Sequence, residues 1–330
     1  MNKNELHNYI SSDQKNICQT AASINGAMVY SDTFNNYKNT DACHIASATK
    51  SITSLLIGIA IDKGLIISTN QKVLDFFPDY HVKRGEKTIH QVTLRHLMTM
   101  TAPYKYKSEP WTKVCTSDNW TRAVLDLLGG RAGITGEFKY STLGMQILSA
   151  VITKVSGMTT TDFANRYLFE PLGTAPRKSF TVSNKDEHLR FVTSESPKDN
   201  IWFCDSQGIA AAGFGLCLSA EDMLKIGQLC LDDGVFNGRR IVSSGWIHEI
   251  TSAKTAAGER FGNMAYGLLW WIPNKERSAY AAIGDSGNVI YVDPDKNIVI
   301  TVASSFKPAV SDRVGFIQKY IEPFIETLSQ

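Results

Sequence analysis

The chain has 330 residues, 43% of them hydrophobic and 20% charged, with a net charge of +2. That is a globular composition, long enough for one large domain or two smaller ones, and it lacks the basic excess that draws a chain to nucleic acid or an anionic membrane. Met1 to Tyr9 contain no apolar signal-peptide core and no run approaches the roughly 18 apolar residues of a membrane span, so a cytoplasmic protein is expected.

Six scattered cysteines (Cys18, Cys43, Cys115, Cys204, Cys217 and Cys230) form no Cys-x-x-Cys pair. Free thiols are therefore expected, and no zinc site.

Ile24 to Ser31 reads as a strand, followed by polar loop to Thr40 with room for a second strand. The stretch His44 to Gly64 is the most informative. Ile52, Leu55, Leu56, Ile59 and Ala60 recur at three- and four-residue spacing, which predicts a helix. Ile57 and Ile61 lie off that stripe, so the helix is apolar most of the way round and should be buried. Gly64 is placed to stop it. Gly58 in its middle costs about 1 kcal/mol against Ala, which predicts a closely packed neighbour.

Ser47 then lies at the N-terminus of a buried helix with Lys50 one turn on, on the same face. A serine at its free pKa is a poor nucleophile and needs an adjacent base, which a lysine can supply if burial lowers its pKa. This is a Ser-x-x-Lys arrangement. The spacing alone is weak: Ser12/Lys15 and Ser304/Lys307 share it without a buried helix behind them. The plainer reading of any such serine is a helix cap.

Between Val73 and about residue 260 the periodicity is mostly helical. Thr93 should cap a short helix with Leu94, Leu97 and Met98. Further helices are predicted for Trp120 to Leu128, Thr142 to Val155 stopped by Gly157, and Thr161 to Phe169. Ser219 opens another, running to Gly234. Thr174 to Ile209 is polar and irregular. Strands return at Tyr266 to Ile272, Ala279 to Ile283, Asn288 to Val292 and Ile298 to Ser304, the last two joined by a turn through Asp293 to Asn297. Ser311 should cap a C-terminal helix over Val314 to Leu328, kinked at Pro323.

Strands at both ends with helices between them predict an α/β (α+β) fold. It has one antiparallel sheet built from both chain ends, flanked by the Ser47 and C-terminal helices, with an inserted helical region. The expected division is a sheet domain of residues 1–70 and 262–330 and a helical insertion of 71–261, with the active site between them. Strands and helices do not alternate, which disfavours a Rossmann domain.

Two further places complete a constellation. Tyr140, in Gly136 to Thr142, precedes a helix and is a credible phenolate base if cations depress its pKa, or simply a packing tyrosine. Asp285, Ser286, Gly287 and Asn288 stand where a strand begins. A glycine there lets a substrate approach a strand edge and a backbone N–H complete an oxyanion hole, or merely turns a hairpin. His44 could line the site, though packing explains it as well. Gly-x-Ser-x-Gly and His-Glu-x-x-His motifs are absent, which removes motif support for an α/β-hydrolase or a zincin.

In order along the chain, these motifs resemble the class C β-lactamase and penicillin-binding-protein-like serine hydrolases, a family that includes esterases, D-aminopeptidases and 6-aminohexanoate-dimer hydrolases. Ile45 to Ser51 looks like the nucleophile motif, Val92 to Thr101 like the helix and loop before the site, and Phe138 to Gly144 like the Tyr-x-Asn segment. Gly213 to Leu216 with Ser219 to Gly227, and Ala282 to Pro294, look like the later segments. The resemblance implies a β-lactamase/transpeptidase-like fold and a mechanism. Ser47 attacks a carbonyl, Lys50 and Tyr140 share the proton, the N–H groups of Ser47 and Asn288 hold the oxyanion, and water releases the acyl-enzyme. It implies no metal or cofactor, and a small ester, amide or short peptide as substrate.

Two residues depart from the family pattern. Thr142 stands where Asn is usual, and a hydroxyl reaches less far than an amide. Asp285, aligned with Ser286 and Gly287, stands where Lys or His is usual and would repel a substrate carboxylate. A poor β-lactamase that prefers neutral or amine-bearing esters or amides is therefore expected. A true β-lactamase or D-Ala-D-Ala carboxypeptidase, and a non-catalytic binding homologue, are the alternatives.

Overall fold

The computed structural model describes every residue except 183, 194–197, 275–277, 309, 311, 329 and 330. The expected cap at Ser311 lies outside the described residues. The centre is one eight-stranded antiparallel sheet. From one edge its strands are Ala27–Thr33, Ile17–Ile24, Ile298–Ser304, Asn288–Asp293, Tyr280–Gly284, Trp271–Ile272, Ala265–Tyr266 and Thr255–Ala256. It is built from both chain ends, as the pattern of strands predicted.

Ile17–Ile24 and Ile298–Ser304 are buried along their whole length, because helices cover both faces of the sheet. On one face the N-terminal helix Lys3–Asp13 and the C-terminal helical run bring Leu6, Ile10, Ile317, Ile321 and Phe324 against Tyr291 and Ile300. On the other face the helix Ala220–Leu231 lies against Ile298–Ser304, Ile17–Ile24 and Asn288–Asp293. Its Gly227 permits this approach: a Cβ there would stand 2.4 Å from Val299 Cγ1. This second core continues without a break into the helical region.

Several elements differ from their sequence pattern for physical reasons. The run Ile24 to Ser31 is not one strand. Asn25 and Gly26 adopt positive φ (51° and 78°) and fold it into a two-residue hairpin. Tyr266 to Ile272 is likewise two short strands, because residues 267–270 turn back on themselves, with the Gly267 N–H donating to Trp270 O at 2.8 Å. That turn is pinned to the central helix: Ser51 Oγ and Ser54 Oγ donate to Leu269 O and Leu268 O at 2.6 and 2.7 Å. The helix predicted at Thr142 begins at Met145 and ends where expected, with Gly157 at φ 68°.

Pro323 acts on the C-terminal helix through a π-helical turn at Ile317–Ile321, just before the last segment Glu322–Glu326. The helices Trp111–Cys115, Lys185–Thr193 and Ser244–Thr251 are not anticipated by the sequence pattern.

The central helix, Thr49–Asp62, is buried from Thr49 to Ala60. Gly64 has φ 70° at its end. Gly58 meets the expected neighbour: a Cβ there would lie 2.1 Å from the Trp246 ring, whose Nε1 donates to Ser54 O at 3.0 Å.

Candidate active site

Ser47 sits in the tight turn Ala46–Ala48 that feeds the central helix. Ala46 has φ 47°, the left-handed region that costs a non-glycine residue of order 1 kcal/mol or more, so surrounding structure must hold it there. Part of that restraint comes from the Ile45 N–H donating to Leu216 O at 3.0 Å and from Thr49 Oγ1 donating to Ala46 O at 2.7 Å.

Lys50 is 1% exposed. Its Nζ stands 2.9 Å from Ser47 Oγ and 3.1 Å from Thr142 Oγ1, and donates to Gly213 O at 2.7 Å. It also lies 4.7 Å from the centre of the Tyr140 ring. Burial brings its pKa down to about 7, with the charges of Glu109 and Asp285 acting in the opposite sense. An amine that is half neutral near pH 7 within hydrogen-bond reach of a hydroxyl can remove its proton. Gly213 is needed for this packing, since a Cβ there would stand 2.5 Å from Thr142 O.

Tyr140 is half-buried and borders the larger of the two cavities beside Ser47. Burial therefore pushes the phenol well above its usual pKa, and a hydrogen bond with Ser47 only partly offsets this. The phenolate considered from sequence is thus disfavoured here. A neutral phenol beside Ser47 can receive and pass on a proton, while burial favours the neutral form of Lys50.

The third segment is arranged differently from the expectation. The glycine that meets the Ser47 turn is Gly284, at the end of Tyr280–Gly284: a Cβ there would be 2.1 Å from Ile45 O and 3.0 Å from Ala48 N. Gly287, with φ 87°, instead packs on Arg313. Ser286 is buried, with φ 62°, and its hydroxyl donates to Phe306 O. Asn288 is 1% exposed, one strand farther away. It sits opposite Gly284, its Nδ2 donating to Asp285 O at 2.9 Å while its Oδ1 accepts from the Ser304 N–H at 2.9 Å. Of these residues, Asp285 is exposed and shares both adjoining cavities with Ser47.

Those cavities differ in character. One is a pocket of about 300 Å³ between Trp111, Cys115, Leu189, Phe214, Phe306 and Thr142. His44 also borders it, with Nε2 bonded to Phe214 O. The other is an open cleft that includes Tyr140, Phe261, Trp271, Arg260 and Lys307. Ser47 lies at their junction.

Sequence reasoning missed Glu109. Its Oε1 accepts from the N–H groups of Thr142 and Leu143 at 2.8 and 2.9 Å, and from the hydroxyls of Ser141 and Tyr106 at 2.8 and 3.2 Å. It lies in the loop Pro103 to Asn119, where no periodicity marks a residue as special. Among the described residues no group of three or more His, Cys, Asp or Glu could hold a metal, and no helix is long and apolar enough to cross a membrane. All six cysteines are buried and unpaired by disulfides.

Comparison with known proteins identifies the family and the fold. Residues 19–318 match the family model described as Beta-lactamase. A 6-aminohexanoate-dimer hydrolase of Paenarthrobacter ureafaciens is 25% identical over 284 residues, covering 79% of this chain and 66% of that protein, just under two thirds of its length. The octameric penicillin-binding protein homologue of Pyrococcus abyssi shares the fold with a TM-score of 0.71 at 20% identity, over 99% of this chain and 78% of the other. A family VIII carboxylesterase shares it with a TM-score of 0.71 at 16% identity, over 97% and 96% of the two chains. With the sheet-and-helix architecture and the match spanning all three site segments, the chain belongs to the Beta-lactamase family.

Proposed function

We propose that the protein is a serine hydrolase that cleaves small esters or amides through an acyl-enzyme, with an uncharged, largely apolar acyl group preferred. The observation that carries this reading is the 2.9 Å approach of Lys50 Nζ to Ser47 Oγ, in a site whose burial holds the lysine pKa down to about 7. Ser47 Oγ attacks the carbonyl carbon as neutral Lys50 takes its proton. Tyr140 relays a proton to the departing oxygen or nitrogen. The N–H groups of Ser47 and Asp285 take the oxyanion, because Gly284 brings the strand end bearing Asp285 onto the Ser47 turn. Water then attacks the ester on Ser47 and releases the acid.

The two cavities divide the substrate. The proton relay must face the leaving group, and Tyr140 borders the larger cleft but not the smaller pocket. The leaving group therefore occupies the cleft and the acyl group the pocket. Among the described residues Asp285 is the only carboxylate that lines that pocket, which disfavours an anionic acyl group. Two residues before Gly284 stands buried Ala282, so the cation that serves β-lactamases for carboxylate binding has no counterpart at that position.

A fluorophosphonate probe tests the chemistry, with Ser47→Ala as control. Labelling confined to Ser47, together with ester turnover exceeding cephalosporin turnover, supports the proposal. Absence of both labelling and an acyl adduct by mass spectrometry would favour a binding protein instead. Cephalosporin turnover rivalling that of short-chain esters would favour a true β-lactamase.

A further inference from the structure

We infer that Glu109 is a positioning residue that compensates for the short side chain of Thr142: it clamps the Tyr140–Leu143 loop at the depth where a threonine hydroxyl, rather than a longer amide, reaches Lys50. The inference rests on the serine hydrolase reading for its catalytic meaning, though not for its geometry.

One carboxylate oxygen gathers four donors from two segments. Three belong to consecutive residues of the catalytic loop: Ser141 Oγ at 2.8 Å, Thr142 N at 2.8 Å and Leu143 N at 2.9 Å. The fourth is the Tyr106 hydroxyl at 3.2 Å, which also lies 2.9 Å from Ser141 Oγ. Ser141 Oγ in turn accepts from the Gly144 N–H at 3.0 Å, just before the helix Met145–Ser156. Charge-assisted hydrogen bonds of this kind are roughly twice as strong as neutral ones. The loop is therefore tied down immediately beside Thr142, whose Oγ1 stands 3.1 Å from Lys50 Nζ.

The clamp also carries charge. Among the described residues, the titratable groups acting on Lys50 are Glu109 from the loop before Pro110, Asp285 from the strand end and Tyr140 from the clamped loop itself. Glu109 is the leading carboxylate in favour of the ammonium form. One residue thus sets both the position of Thr142 and the balance of the base, which a purely structural carboxylate would not do.

Glu109→Gln separates the two effects, since the amide keeps an acceptor oxygen and loses the charge. The expected result is a lower Lys50 midpoint, seen by 15N NMR of labelled lysine Nζ, with the acid limb of kcat/KM moving down equally. The plateau of kcat/KM should stay near wild type, because the acceptor oxygen of the clamp remains. Glu109→Asp keeps the charge but not the reach, so it should lower the plateau while restoring most of the wild-type limb. If Glu109→Gln fails to fold, Ser141→Ala removes one donor of the clamp and should lower the plateau without moving the limb. An unmoved Lys50 midpoint in Glu109→Gln with an unmoved plateau in Glu109→Asp overturns the inference, as does a loss of rate that only follows the unfolded fraction. A shifted midpoint in a protein that neither hydrolyses esters nor takes up the fluorophosphonate would uphold the clamp and sink the hydrolase reading.

Discussion

Gly284 offers the sharpest test of how the site is assembled. Its φ of −119° and ψ of 157° are ordinary for any residue, so alanine brings no backbone penalty there. The cost is purely steric. The added Cβ would lie 2.1 Å from Ile45 O and 3.0 Å from Ala48 N, both backbone atoms of the segment that carries Ser47. Relieving the first contact to even 3.0 Å requires a displacement of about 0.9 Å between strand and turn. A shift near 1 Å of a nucleophile against its oxyanion donors costs on the order of a hundredfold in rate, or about 2.7 kcal/mol of activation free energy. Gly284→Ala should therefore lower kcat/KM for a p-nitrophenyl ester by roughly that factor and slow fluorophosphonate labelling of Ser47 in parallel.

Gly287→Ala is the matched control. Its φ of 87° and the Arg313 side chain 2.5 Å from the added Cβ predict a loss of thermal stability, with the labelling rate of the folded protein near wild type. Wild-type turnover by Gly284→Ala, with labelling lost only in Gly287→Ala, would refute the placement of the oxyanion donor at Asp285. It would restore Asn288 as the candidate.

Activity should rise through an apparent pKa of about 7 as Lys50 loses its proton, read as the acid limb of kcat/KM. The linked stability has a definite sign. The folded-state pKa lies below the usual lysine value of 10.5, so between about 7 and 10.5 the unfolded chain holds the proton that the native site has released, and stability falls as pH drops through that window. Lys50→Met should abolish this dependence, raise Tm at neutral pH and lower kcat/KM by about a hundred- to ten-thousandfold; a lower Tm would contradict the cost assigned to the buried amine. In a series of p-nitrophenyl esters from acetate to octanoate, kcat/KM should climb about fourfold per methylene until the pocket fills. Cys115→Phe should move that optimum to a shorter acyl chain without changing the alcohol preference, and an unmoved optimum would place the acyl group elsewhere. Gly58→Ala should destabilise the fold despite a helix-propensity gain of about 1 kcal/mol, because its Cβ would fall 2.1 Å from Trp246; urea denaturation should show the gain returning in the double variant with Trp246→Leu.

The features legible in the sequence were those written in local periodicity and local chemistry. The apolar run after Ser47 specified a buried helix, and the three-residue spacing put Lys50 on the same face as the hydroxyl, because helix geometry fixes both without reference to the rest of the chain. Gly58 announced a close neighbour, though only the fold identifies Trp246. Thr93, Ser219 and Gly157 marked helix ends through caps that depend on adjacent residues alone. The strands at the two chain ends implied a shared sheet by the same logic.

What tertiary structure decided was every distance between segments remote in sequence. Lys50 is desolvated because folding buries it among Thr142, Gly213 and Tyr140, and no property of residues 44–64 sets that. The motif containing Asp285 and Gly287 was readable, but which of two glycines presses on the Ser47 turn depends on strand pairing, where Gly284 faces Asn288. Glu109 was invisible because it sits in a loop, and a loop residue gains its role only from the donors that folding brings to it. Sequence therefore fixes which groups are available and how neighbours along a helix face one another. Folding fixes which distant groups share a dry, confined space, and in such a space desolvation and charge, rather than residue type, determine what each group can do.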